Sequence, residues 1–245
     1  MRWLITVTVW LASLAVAQGP LRYETRRIEK KTVSCVVSFE YPEVTSAASP
    51  EARDRLNAGI LRVLLRRSDW PGPDSGAQSL DAYAKTFLGY CEEASEGRPL
   101  YEHKTVKVLR STPPVFSFQC DATADAGGVH PFGTTFYVNF DSKTGKPVKL
   151  IDILKPGAMA RLASVAETQF RKDQKLSMTE SLSEAGFNFP GDRFKLNDNY
   201  GIGNKALVFL FNTYEIGPGA MPSTRIEIPY TDMRHLLKAD WGLQL

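Results

Sequence analysis

The chain has 245 residues, of which 43% are hydrophobic and 23% are charged, as in an ordinary globular protein with enough apolar side chains for a sizeable core. The formal net charge is only +3, so nucleic acid is not an expected partner. This length suits either one large domain or two small ones.

The first residues predict export. Arg2 precedes an apolar run over residues 3–16, and residues 15–17 have the small-x-small pattern of a cleavage site. The run is shorter than the roughly 20 residues that a spanning helix needs, so we expect a cleaved signal peptide over residues 1–17 and no stable membrane span afterwards. An uncleaved anchor is the alternative, because two tryptophans in the run can lie at a membrane interface. The predicted localisation is periplasmic or secreted.

The front half, residues 18–126, has the pattern β-α-α-β-β. Alternating apolar residues predict its first strand, and Ser49 followed by Pro50 is typical of a helix start, with serine as N-cap and proline at the first helical position. Pro113 and Pro114 mark the turn between the last two strands. The predicted ranges are strand 32–45, a helix from residue 49, helix 79–94, strand 101–110 and strand 115–123.

A glycine pair, Gly127 and Gly128, opens a segment that ends at Pro131, and this break in the strand pattern is the predicted domain boundary. The second half, residues 127–245, reads β-β-α, then loops, then β-β-α. The predicted ranges are strand 134–141, a hairpin turn at 141–146, strand 147–154, helix 158–174, strands 206–214 and 223–230, and a short helix from Thr231. Short turns between neighbouring strands imply an α+β fold with two small, mainly antiparallel sheets and helices packed on one face.

Three cysteines, Cys35, Cys91 and Cys120, bear on the redox state of an exported protein. An oxidising compartment permits one disulfide and leaves one thiol. We expect Cys91 to pair with Cys120, which would link a helix end to a strand. The alternative is three thiols that pack as small buried apolar side chains.

The residues form no recognisable reactive centre. His103, His130 and His235 are not spaced as metal ligands, and the H-E-x-x-H, C-x-x-C and G-x-S-x-G patterns are absent. We therefore expect no metal, no cofactor and no catalytic residue. The alternative hypothesis is a hydrolase of cell-wall glycan or peptide bonds that uses Asp152, Glu215 or His130.

His130 is the first candidate for ligand binding. Gly127 and Gly128 permit backbone conformations that other residues avoid, and Pro131 fixes the exit of the loop, so the imidazole is held in one place. The alternative is a histidine that only bonds the loop to the sheet.

The second candidate is the loop over residues 212–222. It is rich in glycine and proline, follows a very apolar strand, and carries Tyr214 and Glu215 at its base. Loops of this kind on a rigid sheet commonly form binding surfaces. The alternative is a shaped connection without a function of its own.

Several short motifs follow one another in a fixed order along the chain. They are Gly-Gly-Val-His-Pro at 127–131, Asn-Phe-Asp at 139–141, Thr-Gly at 144–145, Leu-Ile-Asp at 150–152, Tyr-Glu-Ile-Gly-Pro at 214–218 and Ile-Pro-Tyr at 228–230. As an ordered set, these motifs resemble a bacterial family of exported proteins, the domain of unknown function 3298. The front half resembles the PdaC-like domain of unknown function 4163 that often accompanies it. Together the two resemblances cover nearly all of residues 28–240.

The resemblance implies an α+β extracytoplasmic module of the cell envelope. Members include the lysozyme-binding extracellular part of the anti-sigma factor RsiV, and others accompany a separate peptidoglycan deacetylase domain. We expect neither anti-sigma signalling nor deacetylation here, because no sigma-binding segment precedes the apolar run and no deacetylase domain follows Tyr230.

The function that we predict is that of a non-catalytic exported binding module. Its ligand would be a cell-envelope component, such as an envelope protein or a peptidoglycan fragment, or an envelope-attacking protein such as lysozyme. A structural envelope protein that only associates with partners is a further alternative.

Overall fold

The computed structural model describes residues 20–66, 76–95, 98–128 and 130–243, so the predicted signal peptide lies outside the described residues. The described chain forms a five-stranded sheet and a three-stranded sheet, mainly antiparallel, together with helices. The predicted α+β class is confirmed.

The first sheet has the strand order β1-β2-β3-β4-β5, and every neighbouring pair is antiparallel except β2 with β3. A parallel pair needs a crossover connection, and two helices supply it here. The elements are β1 Arg22–Lys31, β2 Cys35–Ser46, α1 Pro50–Leu65, α2 Leu80–Ala94, β3 Leu100–Arg110, β4 Val115–Asp125 and β5 Phe132–Asp141.

Both crossover helices begin where local sequence signals predict. The Ser49 hydroxyl accepts a hydrogen bond from the Ala52 N–H at 3.2 Å, and the Ser79 hydroxyl accepts one from the Ala82 N–H at the same distance. These caps satisfy N–H groups that a helix start leaves without a partner. The helices then pack one apolar face on the sheet, and this core contains Phe39, Leu56, Ile60, Tyr83, Phe87, Phe116 and Phe118, among others.

A buried ion pair lies within this first core. The Lys104 ammonium donates to the main-chain oxygens of Leu64 and Arg66, at 2.9 and 2.7 Å, and lies 3.4 Å from the Glu102 carboxylate. The Tyr83 hydroxyl donates to the same carboxylate at 3.0 Å. Burial lowers the pKa of Lys104, and the Glu102 charge opposes that shift. Lys104 therefore ties the end of α1 to the centre of the sheet.

Two features of the first sheet differ from expectation. Strand β1 was not predicted, because its ten residues are mostly charged and exposed and show no apolar alternation. Strand β5 follows the predicted boundary at 126/127, yet it pairs with β4 along its whole length, from Phe132 opposite Ala124 to Asp141 opposite Val115. The first sheet therefore continues past that boundary.

The second sheet is antiparallel, with β7 between β6 and β8. Its core is formed largely by β7, β8 and the long helix α4, and it contains Leu162, Phe170, Leu207, Phe209, Ile226 and Ile228. The elements of this half are α3 Leu150–Ile153, α4 Met159–Gln174, β6 Tyr200–Ile202, β7 Ala206–Phe211, β8 Thr224–Pro229 and α5 Tyr230–Met233.

The predicted strand over residues 147–154 is wrong for most of its length. Asp152 accepts a hydrogen bond from the Lys149 N–H at 2.8 Å, and this bond closes the short helix α3. Only Pro147 and Leu154, near the two ends, form isolated bridges. A local side-chain bond to the backbone thus replaces the strand pairing.

The disulfide prediction is also wrong. Cys35 at the start of β2 is bonded to Cys91 in α2, with 6.1 Å between their Cα atoms, and Cys120 is a buried free thiol on β4. Strand β3 separates β4 from β2, so Cys120 lies two strands away from Cys35. Burial raises the pKa of Cys120 to about 12, which keeps it a neutral thiol.

Candidate functional site

The candidate site lies along the outer edge of β5, where the two sheets meet. The Thr135 N–H donates to the side-chain oxygen of Asn212 at 2.8 Å, and the Tyr137 N–H donates to that of Asn199 at 2.9 Å. The side-chain amides of Asn199 and Asn212 in turn donate to the Thr135 carbonyl, at 2.8 and 3.2 Å. The side-chain amides of Asn199 and Asn212 therefore form the hydrogen bonds that a sixth strand would otherwise make with the edge of β5.

A third asparagine continues this arrangement. The Asn139 side chain donates to the Tyr200 carbonyl and accepts from the Ile202 N–H, each at 2.8 Å. The Ser117 hydroxyl also donates to the Ile202 carbonyl, at 2.6 Å. We call Asn139, Asn199 and Asn212 the amide seam, because they join β5 to the second sheet.

The seam borders a cleft at the beginning of β5. The cleft has a volume of about 570 Å³. One wall is formed by residues 130–134 and the other by residues 212–214 with Gly219. We call it the His130 cleft. The structure thus brings together the two loops that the sequence singles out, with His130 in one wall and Tyr214 in the other.

Tyr214 is held in an unusual conformation. Its φ is 70°, in the left-handed region that costs a non-glycine residue roughly 1–2 kcal/mol. The residue is 70% exposed, so burial does not explain the conformation. The ring lies against Gly219, where an added Cβ would overlap it. A strained, exposed aromatic residue beside a cleft motivates a functional hypothesis.

Glu215 has a different position from the one expected. One carboxylate oxygen accepts from the Asn212 N–H at 2.8 Å and the other from the Asn197 side chain at 2.7 Å, so this side chain closes the turn after β7. Glu215 lines a neighbouring groove of about 340 Å³, together with Arg66 and Phe136. It is not among the residues that line the His130 cleft.

The two glycines before His130 lie outside the cleft as well. Gly127 has a φ of 91°, and its N–H donates to the Asp125 side chain at 3.2 Å. The Gly128 carbonyl accepts from Arg98 at 3.0 Å. Both glycines shape the loop that carries His130, and neither lines the cleft wall.

The remaining candidates lie elsewhere. Asp152 caps α3, and the His103 ring on β3 bonds the Ser38 hydroxyl at 2.7 Å and stacks on Tyr101. Asp152, Glu215 and His130, the three residues of the hydrolase hypothesis, do not share a cleft. Over the described ranges, no group of three or more His, Cys, Asp or Glu side chains is arranged to hold a metal ion.

The amide seam was not predicted from the sequence, because asparagine is most often a turn residue. One sequence feature could have indicated it: Asn199 and Asn212 lie just outside the apolar strands of the second half. Their target, the free edge of β5, is defined only once the strand order is known.

The chain is thus a two-sheet α+β protein with a polar seam and a cleft where the sheets meet. The sequence pattern of a family described as "Protein of unknown function (DUF3298)" matches residues 151–231. The match does not reach the front half, so the PdaC-like resemblance of that half stays a prediction. None of the curated proteins compared with the chain matches it.

Two solved structures of DUF3298 family proteins share the fold. One, from Bacteroides fragilis, has a TM-score of 0.72 and 19% sequence identity, over 92% of this chain and 97% of the other. The second, from Pseudomonas aeruginosa, has a TM-score of 0.68 and 19% identity, over 91% of this chain and 97% of the other. At this identity the likeness shows the fold alone.

The membrane prediction concerns the first residues, which lie outside the described part. Within that part, no helix combines the length and hydropathy that crossing a bilayer requires.

Proposed function

We propose that this protein is an exported, periplasmic or secreted binding module that recognises a component of the cell envelope through the His130 cleft. The observation that carries the proposal is the convergence of His130 and Tyr214, which are 84 positions apart in sequence, on one cleft. The protein binds its ligand without chemical turnover.

The size and chemistry of the cleft support a small ligand or a short segment of a larger one. Its volume of about 570 Å³ lies within the range of roughly 300–1,000 Å³ that is typical of ligand sites. The exposed Tyr214 ring offers an apolar face, and His130 in the facing wall offers the hydrogen-bonding nitrogens of its imidazole. This combination favours an envelope component over the flat contact that a folded protein such as lysozyme needs.

The hydrolase hypothesis has less support. General acid and base groups must converge on one reacting bond, within hydrogen-bonding reach of it. Asp152 caps α3, and both oxygens of Glu215 accept hydrogen bonds in the turn after β7. Neither carboxylate lines the cleft that contains His130.

Isothermal titration calorimetry of the purified protein against soluble muropeptides and against lysozyme tests the proposal. We expect muropeptides to bind and Tyr214→Ala to weaken that binding by roughly ten-fold or more. Tyr23→Ala is the matched control, because Tyr23 is also an exposed tyrosine but lies on β1. If neither muropeptides nor lysozyme bind at millimolar concentration, or if both variants bind as the wild type does, the proposal is wrong.

A further inference from the structure

The backbone of Gly133 lies at the point where the amide seam ends and the His130 cleft begins. In an antiparallel pair, alternate residues direct their N–H and C=O groups toward the neighbouring strand and away from it. The N–H groups of Thr135 and Tyr137 bond the seam, so the main-chain N–H and C=O groups of the odd-numbered residues of β5 point away from β4. Gly133 is the next odd-numbered residue and lines the cleft. Its N–H and C=O groups therefore point to the open edge.

Much of the remaining edge of β5 is bonded within the chain. Beyond the seam, the Asn139 carbonyl accepts from the Val148 N–H at 2.8 Å, and the Asp141 N–H donates to the Lys146 carbonyl at 2.9 Å. Within the described chain, no main-chain or side-chain group bonds Gly133 along this edge. The cleft thus contains one donor and one acceptor of a strand edge, flanked by His130 and Tyr214.

The geometry points to an extended peptide as the ligand: we infer that a segment of roughly three residues adds to β5 at Gly133 as a short sixth strand within the His130 cleft. The inference rests on the proposed function, because it specifies what the same cleft binds. In an extended peptide, one residue presents its N–H and C=O groups on the same side and can bond both groups of Gly133. Asn212 already meets Thr135 in this two-bond manner.

An acetylated sugar fits this edge less well. The N–H and C=O groups of its secondary amide point in opposite directions, because the amide is planar and trans. Such an amide can bond the N–H or the C=O group of Gly133 but not both. The Tyr214 ring, on the opposite wall, is placed to pack against a peptide side chain. The peptide is therefore the occupant that uses the whole cleft.

Position 133 permits a matched pair of variants. Gly133→Pro deletes the N–H donor, and the β4–β5 ladder is kept because this N–H is not part of it. Gly133→Ala keeps the donor, and its added Cβ would approach Thr123 and Ala122 no closer than 3.6 Å, which is ordinary contact. Circular dichroism and thermal melting check that both variants fold.

The experiment pans the purified full-length protein with a display library of random hexapeptides and measures affinities of the enriched peptides by fluorescence anisotropy. We expect Gly133→Ala to bind within about two-fold of the wild type and Gly133→Pro at least about ten-fold more weakly. If Gly133→Pro fails to fold, N-methylation of successive peptide bonds serves instead, and one position should weaken binding to the wild type by a similar factor.

The inference is overturned if no peptide is enriched, or if enriched peptides bind Gly133→Pro as tightly as the wild type and tolerate N-methylation throughout. Chitotetraose provides the arm that separates the two proposals. If that sugar binds, Tyr214→Ala abolishes its binding and Gly133→Pro leaves it intact, then the cleft is a binding site and the peptide inference alone fails.

Discussion

Replacement of Asn199 by alanine should test how firmly the amide seam joins the two sheets. The side chain makes three hydrogen bonds, from the Tyr137 N–H at 2.9 Å and to the carbonyls of Thr135 and Leu210 at 2.8 and 3.1 Å. Each such bond contributes about 0.5–1.5 kcal/mol net, so Asn199→Ala should lower the free energy of unfolding by about 3 kcal/mol. Because Asn199 is half-buried, we take a contribution near the middle of that range for each of its three hydrogen bonds.

Urea unfolding followed by circular dichroism measures the effect as a shift of the midpoint at constant slope. Asn188→Ala is the control, because Asn188 is an exposed asparagine outside the seam, and we expect a change within about 0.5 kcal/mol. Asn199→Asp should lose at least as much stability as Asn199→Ala, because it keeps the acceptor but turns a carboxylate oxygen toward two carbonyls.

A loss of less than about 1 kcal/mol in Asn199→Ala would contradict this role of the amide seam, because a single solvent-compensated hydrogen bond would explain such a value. Greater stability of Asn199→Asp than of Asn199→Ala near neutral pH would contradict it as well. In either case, packing between the sheets would hold the edge of β5 without the seam.

Three further predictions concern other parts of the molecule. Lys104→Met should lower the free energy of unfolding, measured by urea denaturation, by about 3–5 kcal/mol, because it leaves the buried Glu102 carboxylate without its cation. Lys107→Met on the same strand removes an exposed ion pair and should lower it by less than about 1 kcal/mol. Gly219→Ala should displace the Tyr214 ring and weaken muropeptide binding in calorimetry while the melting temperature stays near that of the wild type, since the ring is exposed and can move. Native protein at pH 8 should resist iodoacetamide, and mass spectrometry should show one alkylated thiol only after unfolding, because Cys120 is buried and its pKa is raised to about 12.

Equal losses for the two lysine variants would mean that burial does not set the strength of the ion pair. Unchanged muropeptide binding in Gly219→Ala would remove the Tyr214 ring from the site. Rapid alkylation of the native protein would place the Cys120 thiol at the surface.

The long helices could be predicted because their signals are local. Ser49 and Ser79 each cap the N–H three residues later, and an apolar face at helical spacing follows within the same short segment. Strand β1 could not be predicted in this way. Its charged residues are stabilised by pairing with β2, as in the ion pair of Arg27 with Glu40, so the reason for the strand lies elsewhere in the chain.

The candidate site was predicted in part for a similar reason. Glycine and proline around His130 and Tyr214 mark shaped loops in any context, so the sequence was sufficient to single out both residues. It placed Gly127, Gly128 and Glu215 with them, although these residues shape the loops and lie outside the cleft. Which loop residues face a shared cavity depends on how the two halves pack.

The sequence by itself determined the α+β class, the positions of the long helices and the two loops that border the cleft, because each follows from patterns that span only a few residues. Tertiary structure alone decided that Cys35 bonds Cys91, that β5 completes the first sheet, and that asparagines from the second half bond its edge. These features join groups that are far apart in the chain. Their partners are therefore defined only by strand order and packing, which no short segment of sequence contains.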